Sequence, residues 1–258
     1  MTKTIETSDF SSFASIKSRS SLPLFALIAG GICLGVSPVL VKAIPLEAET
    51  TAFFRVFLSM IPVMLWVRLS FRQKSSTMRK PAKPIVIYGL LGLAGFFFAA
   101  DLFVMHVSIR QTSVVNATLF TNCAPLFVAL FGLLGLAERP TKMFWKAMPI
   151  TLFGIMLIIT NSSGEEISSL RGDAIALTAG ALYAAYLTVV KRLRDMEVSS
   201  AHIMISVSVI STLALAPAAI SNGGFLAITP MSWLGLLTLG FIGHALGQGL
   251  VTEALQRL

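Results

Sequence analysis

The sequence predicts an all-α polytopic membrane protein with eight membrane helices, and three observations lead to this prediction. Hydrophobic residues make up 55% of the 258 residues and charged residues only 12%, about half the charged share of an average soluble domain. The apolar residues fall into segments of roughly 20 residues, the length that a helix needs to cross a bilayer. Lysines and arginines lie mostly between these segments, as expected for loops at a membrane surface.

Eight apolar segments are predicted to span the membrane. Residues 1–21 are rich in Ser and Thr and are predicted to be a disordered cytoplasmic tail. The first apolar run is longer than the roughly 7–15 residues of a signal-peptide core, so we interpret it as a retained span. The fifth and sixth segments are short for a hydrocarbon core of about 30 Å. The predicted spans are Leu22–Val41, Thr50–Leu69, Ile85–Val107, Val114–Leu134, Trp145–Thr160, Ala174–Val190, Ala201–Ile220 and Trp233–Ala254.

The charges in the loops predict a cytoplasmic N-terminus. In that orientation the outer loops hold only Lys42, Arg110 and Arg171 of the 20 Lys and Arg residues, while Arg55 lies within a span. All other basic residues fall on the inner side, as the positive-inside rule requires. Basic-rich and basic-poor loops alternate along the chain, and one missed helix would invert this order for every later loop. The pattern therefore supports the span count and a multi-pass location in the plasma or inner cell membrane.

A short internal repeat predicts two inverted five-helix halves. Residues 26–30 (ALIAG) match residues 176–180 (ALTAG). A five-helix unit is odd-numbered, so its second copy must cross the membrane in the opposite direction. Inverted repeats of this kind are common in transporters, with the binding site where the halves meet. The predicted halves are residues 22–160 and residues 172–258, the second ending after its third helix.

Polar residues inside the predicted spans indicate a solute pathway. Arg55, Asp101 and His244 are ionisable groups within spans, and each is costly if it faces lipid. Arg55 and Asp101 lie at similar depths on neighbouring antiparallel helices, so we expect them to pair directly or through one water. His106 and His202 lie at predicted span ends, where an interfacial role is expected. The further pathway candidates are Asn116, Asn122, Tyr183, Tyr186 and Gln248.

The amide side chains have a structural alternative to a pathway role. Asn116 and Thr118 also fit helix bridging, through hydrogen bonds worth about 1 kcal/mol or less each. Asn122 lies three residues before Pro125, where a kink is predicted, and this neighbourhood favours the pathway. We expect Asn122 and Gln248 to face one central cavity.

The sequence indicates neither an enzyme nor a nucleic-acid-binding protein. It contains no H-E-x-x-H zinc signature, no G-x-S-x-G nucleophile elbow and no Walker A sequence, and its basic residues do not cluster on a soluble face. Cys33 and Cys123 lie inside apolar segments and are interpreted as packing residues. No cofactor or metal site is predicted. The expected partners are the lipid bilayer and a small-molecule solute, and a homodimer is left open.

Several motifs resemble the EamA-like family of the drug/metabolite transporter superfamily. They are DL at 101–102, SVVNATL at 113–119, APLFVAL at 124–130, ERP at 138–140, GDA at 172–174, YAAY at 183–186 and GQGL at 247–250. The resemblance implies ten helices in two inverted halves and alternating access by one small solute. It also implies a cavity lined by helices three, four, eight and nine, near Asp101, Asn116, Asn122, His244 and Gln248.

Measured against this resemblance, two helices are absent. We therefore expect an incomplete transporter that lacks the ninth and tenth helices, with an open cleft on the side of the last span. Two functions remain open. The first is a solute carrier for an amino acid, a nucleoside-like metabolite or an amphipathic drug, and the second is a non-transporting membrane remnant or scaffold.

Overall fold

The computed structural model describes residues 22–70, 84–161, 169–221 and 228–250, and within these ranges the chain forms helices and no strand. The predicted tail, residues 1–21, and the end of the last predicted span lie outside the described residues. The helices are α1 (Leu22–Ala43), α2 (Ala48–Ser70), α3 (Pro84–Gln111), α4 (Val114–Thr121), α5 (Ala124–Leu133), α6 (Lys142–Asn161), α7 (Leu170–Asp195), α8 (Ser200–Ser221) and α9 (Pro230–Thr238), which continues into a π-helix over Leu239–Leu246.

Seven segments of the described chain are long and apolar enough to cross a membrane, instead of the eight predicted. The predicted fifth span forms α6 but is not among the seven. Its first turns carry Lys142 and Lys146. The sixth span, predicted to be short, is a 26-residue helix. The protein is thus an all-α, multi-pass membrane protein.

The predicted fourth span is divided into α4 and α5 at Asn122 and Cys123. Pro125 explains the break, because proline lacks the N–H of the helical ladder and its ring clashes with the carbonyl four residues earlier. Around the break the backbone makes tighter bonds, from Cys123 N to Phe120 O at 3.1 Å and from Leu126 N to Cys123 O at 2.9 Å. The segment still qualifies as one candidate span, Val114–Leu133.

Helix α3 lies at the centre of the bundle and packs against α2, α7 and α8. Two glycines permit close helix contacts, as small residues do in membrane bundles. A Cβ atom on Gly95 of α3 would collide with Ile210 of α8, and the Ser211 hydroxyl donates to the Gly95 carbonyl oxygen at 2.8 Å. A Cβ atom on Gly180 of α7 would lie 2.8 Å from the Phe120 carbonyl oxygen of α4.

The bundle has two ends, which we name after a residue at each. The Asp173 end contains the last turns of α1 and α3 and the first turns of α2, α4 and α7. The Lys191 end contains the last turns of α5 and α7 and the first turn of α6. Helix α6 is peripheral, since its described side chains are exposed or at most half-buried. The polar residues of interest therefore lie among the other helices.

Candidate functional site

Five polar side chains from four helical segments meet inside the bundle, and we call them the central polar cluster. They are Arg55 on α2, Asp101 and His106 on α3, Tyr183 on α7 and His244 on the π-helix. Arg55 and His244 are 5% exposed, Asp101 is 4% exposed and His106 is fully buried, while Tyr183 is half-buried. Arg55 interacts electrostatically with the other four. The structure thus brings four of the predicted pathway residues together and adds His106.

Arg55 and Asp101 do not form a direct ion pair. In the described part of the chain, no nitrogen of Arg55 lies within 4.0 Å of an oxygen of Asp101, so the direct form of the predicted pairing is wrong. The backbone of α2 at Arg55 packs closely against the π-helix: a Cβ atom on Gly240 would lie 3.3 Å from the Arg55 carbonyl oxygen. Pairing through one water stays a prediction.

His106 is a core residue, and the expectation of an interfacial role is wrong. Helix α3 continues to Gln111, beyond the predicted end at Val107, so His106 lies inside the bundle. Its Nδ1 atom donates to the Leu102 carbonyl oxygen at 2.6 Å, since a carbonyl can only accept. In the neutral ring, Nε2 is then the nitrogen that can still accept a hydrogen bond. His202, by contrast, is exposed in the first turn of α8.

An aromatic row forms one wall of the central polar cluster. The rings of Tyr183 and Tyr186 stack at 5.7 Å between centroids, with 25° between their planes. Tyr186 contacts Phe98 at 5.0 Å, and Phe98 contacts His244 at 5.5 Å. The row therefore runs from α7 across α3 to the π-helix, and it includes Tyr183, Tyr186 and His244 of the predicted candidates.

Several buried polar atoms of the cluster lack a hydrogen-bond partner. Within the described ranges, five such atoms have no hydrogen-bond partner. They are Arg55 Nε and Nη1, Asp101 Oδ1, His106 Nε2 and His244 Nδ1. Proteins satisfy most buried polar atoms, and leaving one unpaired costs about 1–3 kcal/mol. Donors and acceptors are thus concentrated in one place, where a polar guest could use both.

The π-helix places His244 in the cluster. Wide helical turns of this type are rare and occur frequently at functional sites. Two glycines let the segment lie against α1: a Cβ atom on Gly243 would collide with the Ser37 hydroxyl, and one on Gly247 would lie 3.0 Å from Leu34 Cγ. The π-helix could not be predicted from the sequence, because its glycines are equally compatible with ordinary close packing.

Hydrogen bonds between helices close the Asp173 end. Asp173 Oδ1 accepts from the Thr112 hydroxyl at 2.6 Å, and the Asn116 amide donates to Oδ1 and Oδ2 at 3.3 and 3.4 Å. The Ser108 hydroxyl donates to the Gly172 carbonyl oxygen at 3.0 Å. Asn116 is 5% exposed and joins α4 to α7, which agrees with its helix-bridging alternative.

Two basic residues add a second set of bonds at the Asp173 end. Lys42 Nζ donates to the carbonyl oxygens of Ile109 at 3.0 Å and Thr112 at 3.4 Å. Arg110 Nη2 donates to the carbonyl oxygens of Ile44 at 2.8 Å and Leu46 at 2.5 Å. Neither residue was predicted to have a role, although both are among the few cations of the predicted outer loops.

Asn122 lies outside the central polar cluster, whereas Gln248 lies one helical turn after His244 in the last span. Asn122 is exposed at the α4–α5 break, where it lines a cavity of about 190 Å³ together with Phe144 and Thr151 of α6. Gln248 is half-buried in the turn that follows the π-helix. The structure therefore does not bring Asn122 to the cluster, because the Pro125 break turns this part of the span towards α6.

Comparison with known proteins identifies the family. The model of the EamA-like transporter family matches residues 21–160 and again residues 170–258. An uncharacterized transporter of Bacillus subtilis, YyaM, is 31% identical over 119 residues, 44% of this chain and 36% of that protein. An uncharacterized transporter of Archaeoglobus fulgidus is 26% identical over 145 residues, 55% of this chain and 47% of that protein. The chain thus spans less than half the length of these curated relatives, and it belongs to the EamA-like transporter family.

Proposed function

We propose that the protein moves a small polar or amphipathic solute across the membrane by alternating access, through the central polar cluster. The observation that carries the proposal is the concentration of buried, unpartnered donors and acceptors on α2, α3 and the π-helix. In a bilayer, buried ionisable groups that face the bundle interior commonly mark substrate pathways. The aromatic row supplies a flat apolar wall beside them, so the site suits a solute with both a polar part and an apolar part.

In alternating access, the pathway is closed at one end while it is open at the other. We propose that the Asp173 end is a closed end of this kind. The bonds of Lys42, Arg110 and Asp173 tie α1, α3, α4 and α7 together there. These are polar contacts between helix ends, which can exchange for water when the end opens. We propose that this end is the gate that is closed in the present conformation.

We also propose that residues 22–160 and 172–258 are inverted repeats. In that arrangement α1, α2 and α3 correspond to α7, α8 and the last span. The packing of α3 against α7 then corresponds to the packing of α1 against the π-helix. Helices α2 and α8 correspond to each other and are in contact, so the pseudo-two-fold axis would pass between them. The two separate family matches support the same division.

In its cellular setting, we propose an inner or plasma membrane location with the N-terminus in the cytoplasm. The Asp173 end, which carries Lys42, Arg110 and Arg171, then faces outwards, and the more basic Lys191 end faces the cytoplasm. Three further residues remain pathway candidates. They are Asn116 at the Asp173 end, Asn122 at the α4–α5 break and Gln248 in the last span.

A ligand-binding screen tests this function. The protein in nanodiscs is heated with a panel of amino acids, nucleosides and amphipathic amines, since a ligand at 100 times its Kd stabilises the folded state by about 2.7 kcal/mol. We expect one solute class to raise the unfolding temperature of the wild type and of Asp195→Asn, an exposed control. Asp101→Asn should abolish the rise. An equal rise in Asp101→Asn would contradict the proposed site, and binding without flux in liposomes would favour the scaffold alternative.

A further inference from the structure

A large cavity lies at the Lys191 end, away from the central polar cluster. Its volume is about 780 Å³, and it opens between α5, the start of α6 and the last turns of α7. Apolar side chains form its walls and charged side chains form its rim. The wall residues include Pro125, Val128, Leu136, Phe144 and Leu187, and the charged residues are Glu138, Arg139, Lys191, Arg192 and Asp195.

The loop that borders the cavity has a defined conformation. After α5, Gly135 adopts a positive φ of 76°, Leu136 N donates to Phe131 O at 2.8 Å and Gly135 N donates to Gly132 O at 3.2 Å. This is the Schellman pattern of helix termination. A Cβ atom on Gly132 would collide with the Glu138 carbonyl oxygen, so the loop folds back tightly onto α5.

The charges on the rim are not balanced. Lys191 Nζ pairs with Glu138 at 2.9 Å and with Asp195 at 3.4 Å, so both carboxylates of the rim already have a cationic partner. In the described ranges, Arg139 and Arg192 have no carboxylate within 4.0 Å. Two guanidinium groups therefore stand without a counter-ion at the mouth of an apolar cavity.

The position of the cavity is that of the membrane–water boundary. Helices α5 and α7 end there and α6 begins there. The exposed side chains nearby include Leu133, Leu134 and Trp145, the last being of a type enriched at membrane interfaces. Acyl chains can therefore reach the walls from the bilayer, while the arginines remain at headgroup level.

We propose that this cavity binds an anionic phospholipid, with its phosphate at Arg139 and Arg192 and an acyl chain against Phe144 and Leu187. Arginine suits a phosphate because its planar fork donates two parallel hydrogen bonds. Basic pockets between membrane helices are typical sites for anionic headgroups. The apolar walls favour a lipid over a free phosphate, which has nothing to place against them. The site rests on the membrane location alone and does not depend on the proposed transport function.

Native mass spectrometry with a binding series tests the lipid site. The detergent-purified protein is titrated with phosphatidylglycerol, with phosphatidylcholine, which is zwitterionic and has no net charge, as the control lipid. We expect retained phosphatidylglycerol on the wild type and a roughly 25-fold weaker affinity in Arg139→Gln/Arg192→Gln, because each of the two surface arginines contributes about fivefold. Arg171→Gln/Arg194→Gln removes the same net charge from two residues that do not line the cavity, and it should bind as the wild type does.

Two further arms distinguish a bound phospholipid from a free anion and from simple charge attraction. The variant Arg139→Lys/Arg192→Lys keeps both positive charges but lacks the planar guanidinium groups that can donate two parallel hydrogen bonds. We therefore expect a phosphatidylglycerol affinity between those of the wild type and the glutamine variant. Competition by sn-glycerol 1-phosphate or inorganic phosphate at equal concentration would show a free-anion site and overturn the lipid assignment. Equal phosphatidylglycerol affinity in all the glutamine variants would overturn the site itself.

Discussion

Lys42 and Arg110 each cap the helix of the other. Lys42, in the last turn of α1, donates to the carbonyl oxygen of Ile109 near the end of α3, and Arg110, in the last turn of α3, donates to that of Ile44 just after α1. Helix C-termini leave their last carbonyls unsatisfied and carry partial negative charge. Each cation therefore stabilises the neighbouring helix end, and together they hold α1 and α3 at the Asp173 end.

Removing these caps should destabilise the Asp173 end. We expect Lys42→Met and Arg110→Gln each to lower the free energy of unfolding by about 1.5–3 kcal/mol, the range for hydrogen bonds to charged groups. Titration of the purified protein with SDS in mixed micelles measures this loss. Lys146→Met, on exposed α6, is the control and should change stability by less than about 0.5 kcal/mol. A loss no larger than that of the control would show that the caps do not hold this end.

Gly172 and Gly92 should respond in opposite ways to alanine. A Cβ atom on Gly172 would lie 2.8 Å from the Gln111 backbone, so Gly172→Ala must push α7 away from the α3–α4 turn, at a cost of about 1–3 kcal/mol. Gly92, inside α3, has nothing within 4 Å of its Cβ position. Gly92→Ala should stabilise by up to about 1 kcal/mol. The same SDS titration compares the two, and equal effects would contradict the close packing at Gly172.

A double-mutant cycle tests the coupling of Arg55 and Asp101. Arg55→Ala leaves a buried carboxylate without its nearby cation, whereas the double variant Arg55→Ala/Asp101→Ala removes both charges. We expect the single change to cost more stability than the double change, because an uncompensated buried charge is the expensive state. Additive effects in the unfolding titration would mean that the two groups act independently.

Asn122→Leu and Gln248→Leu test the two amide candidates that were expected to face one central cavity. If both line the pathway, each variant should insert and fold normally but lose most of the solute-dependent rise in unfolding temperature. Because Asn122 is exposed beside α6, its replacement should cost little stability. A loss of solute binding can then be distinguished from a loss of folding. Loss of folding in place of solute binding would support a bridging role.

The sequence predicted the architecture well because a bilayer imposes strong rules on length and polarity. Helices must satisfy their own backbone groups in lipid, so apolar segments of about 20 residues were sufficient to locate most spans. The predicted fifth span forms the helix α6, although it is not among the seven candidate spans of the described chain. The α4–α5 break followed from Pro125, whose neighbourhood was correctly predicted to be irregular.

The candidate site was predicted less completely, because polar residues in a span give their depth but not their direction. Asp101 and His244 were expected inside the bundle, and both lie in the central polar cluster. His106 was assigned to an interface because a boundary error of a few residues moved the end of α3. No role was predicted for Asp173, since only the fold shows that Thr112 and Asn116 donate to it.

Solute flux through Asp101 is the measurement that tests the central claim most directly. The protein is reconstituted into liposomes, and counterflow of the solute that binds is compared for the wild type, Asp101→Asn and Asp195→Asn, all verified as folded. We predict flux above that of empty liposomes for the wild type and for Asp195→Asn, and at least a tenfold loss for Asp101→Asn. Flux in Asp101→Asn equal to that of the wild type would contradict a pathway through the central polar cluster.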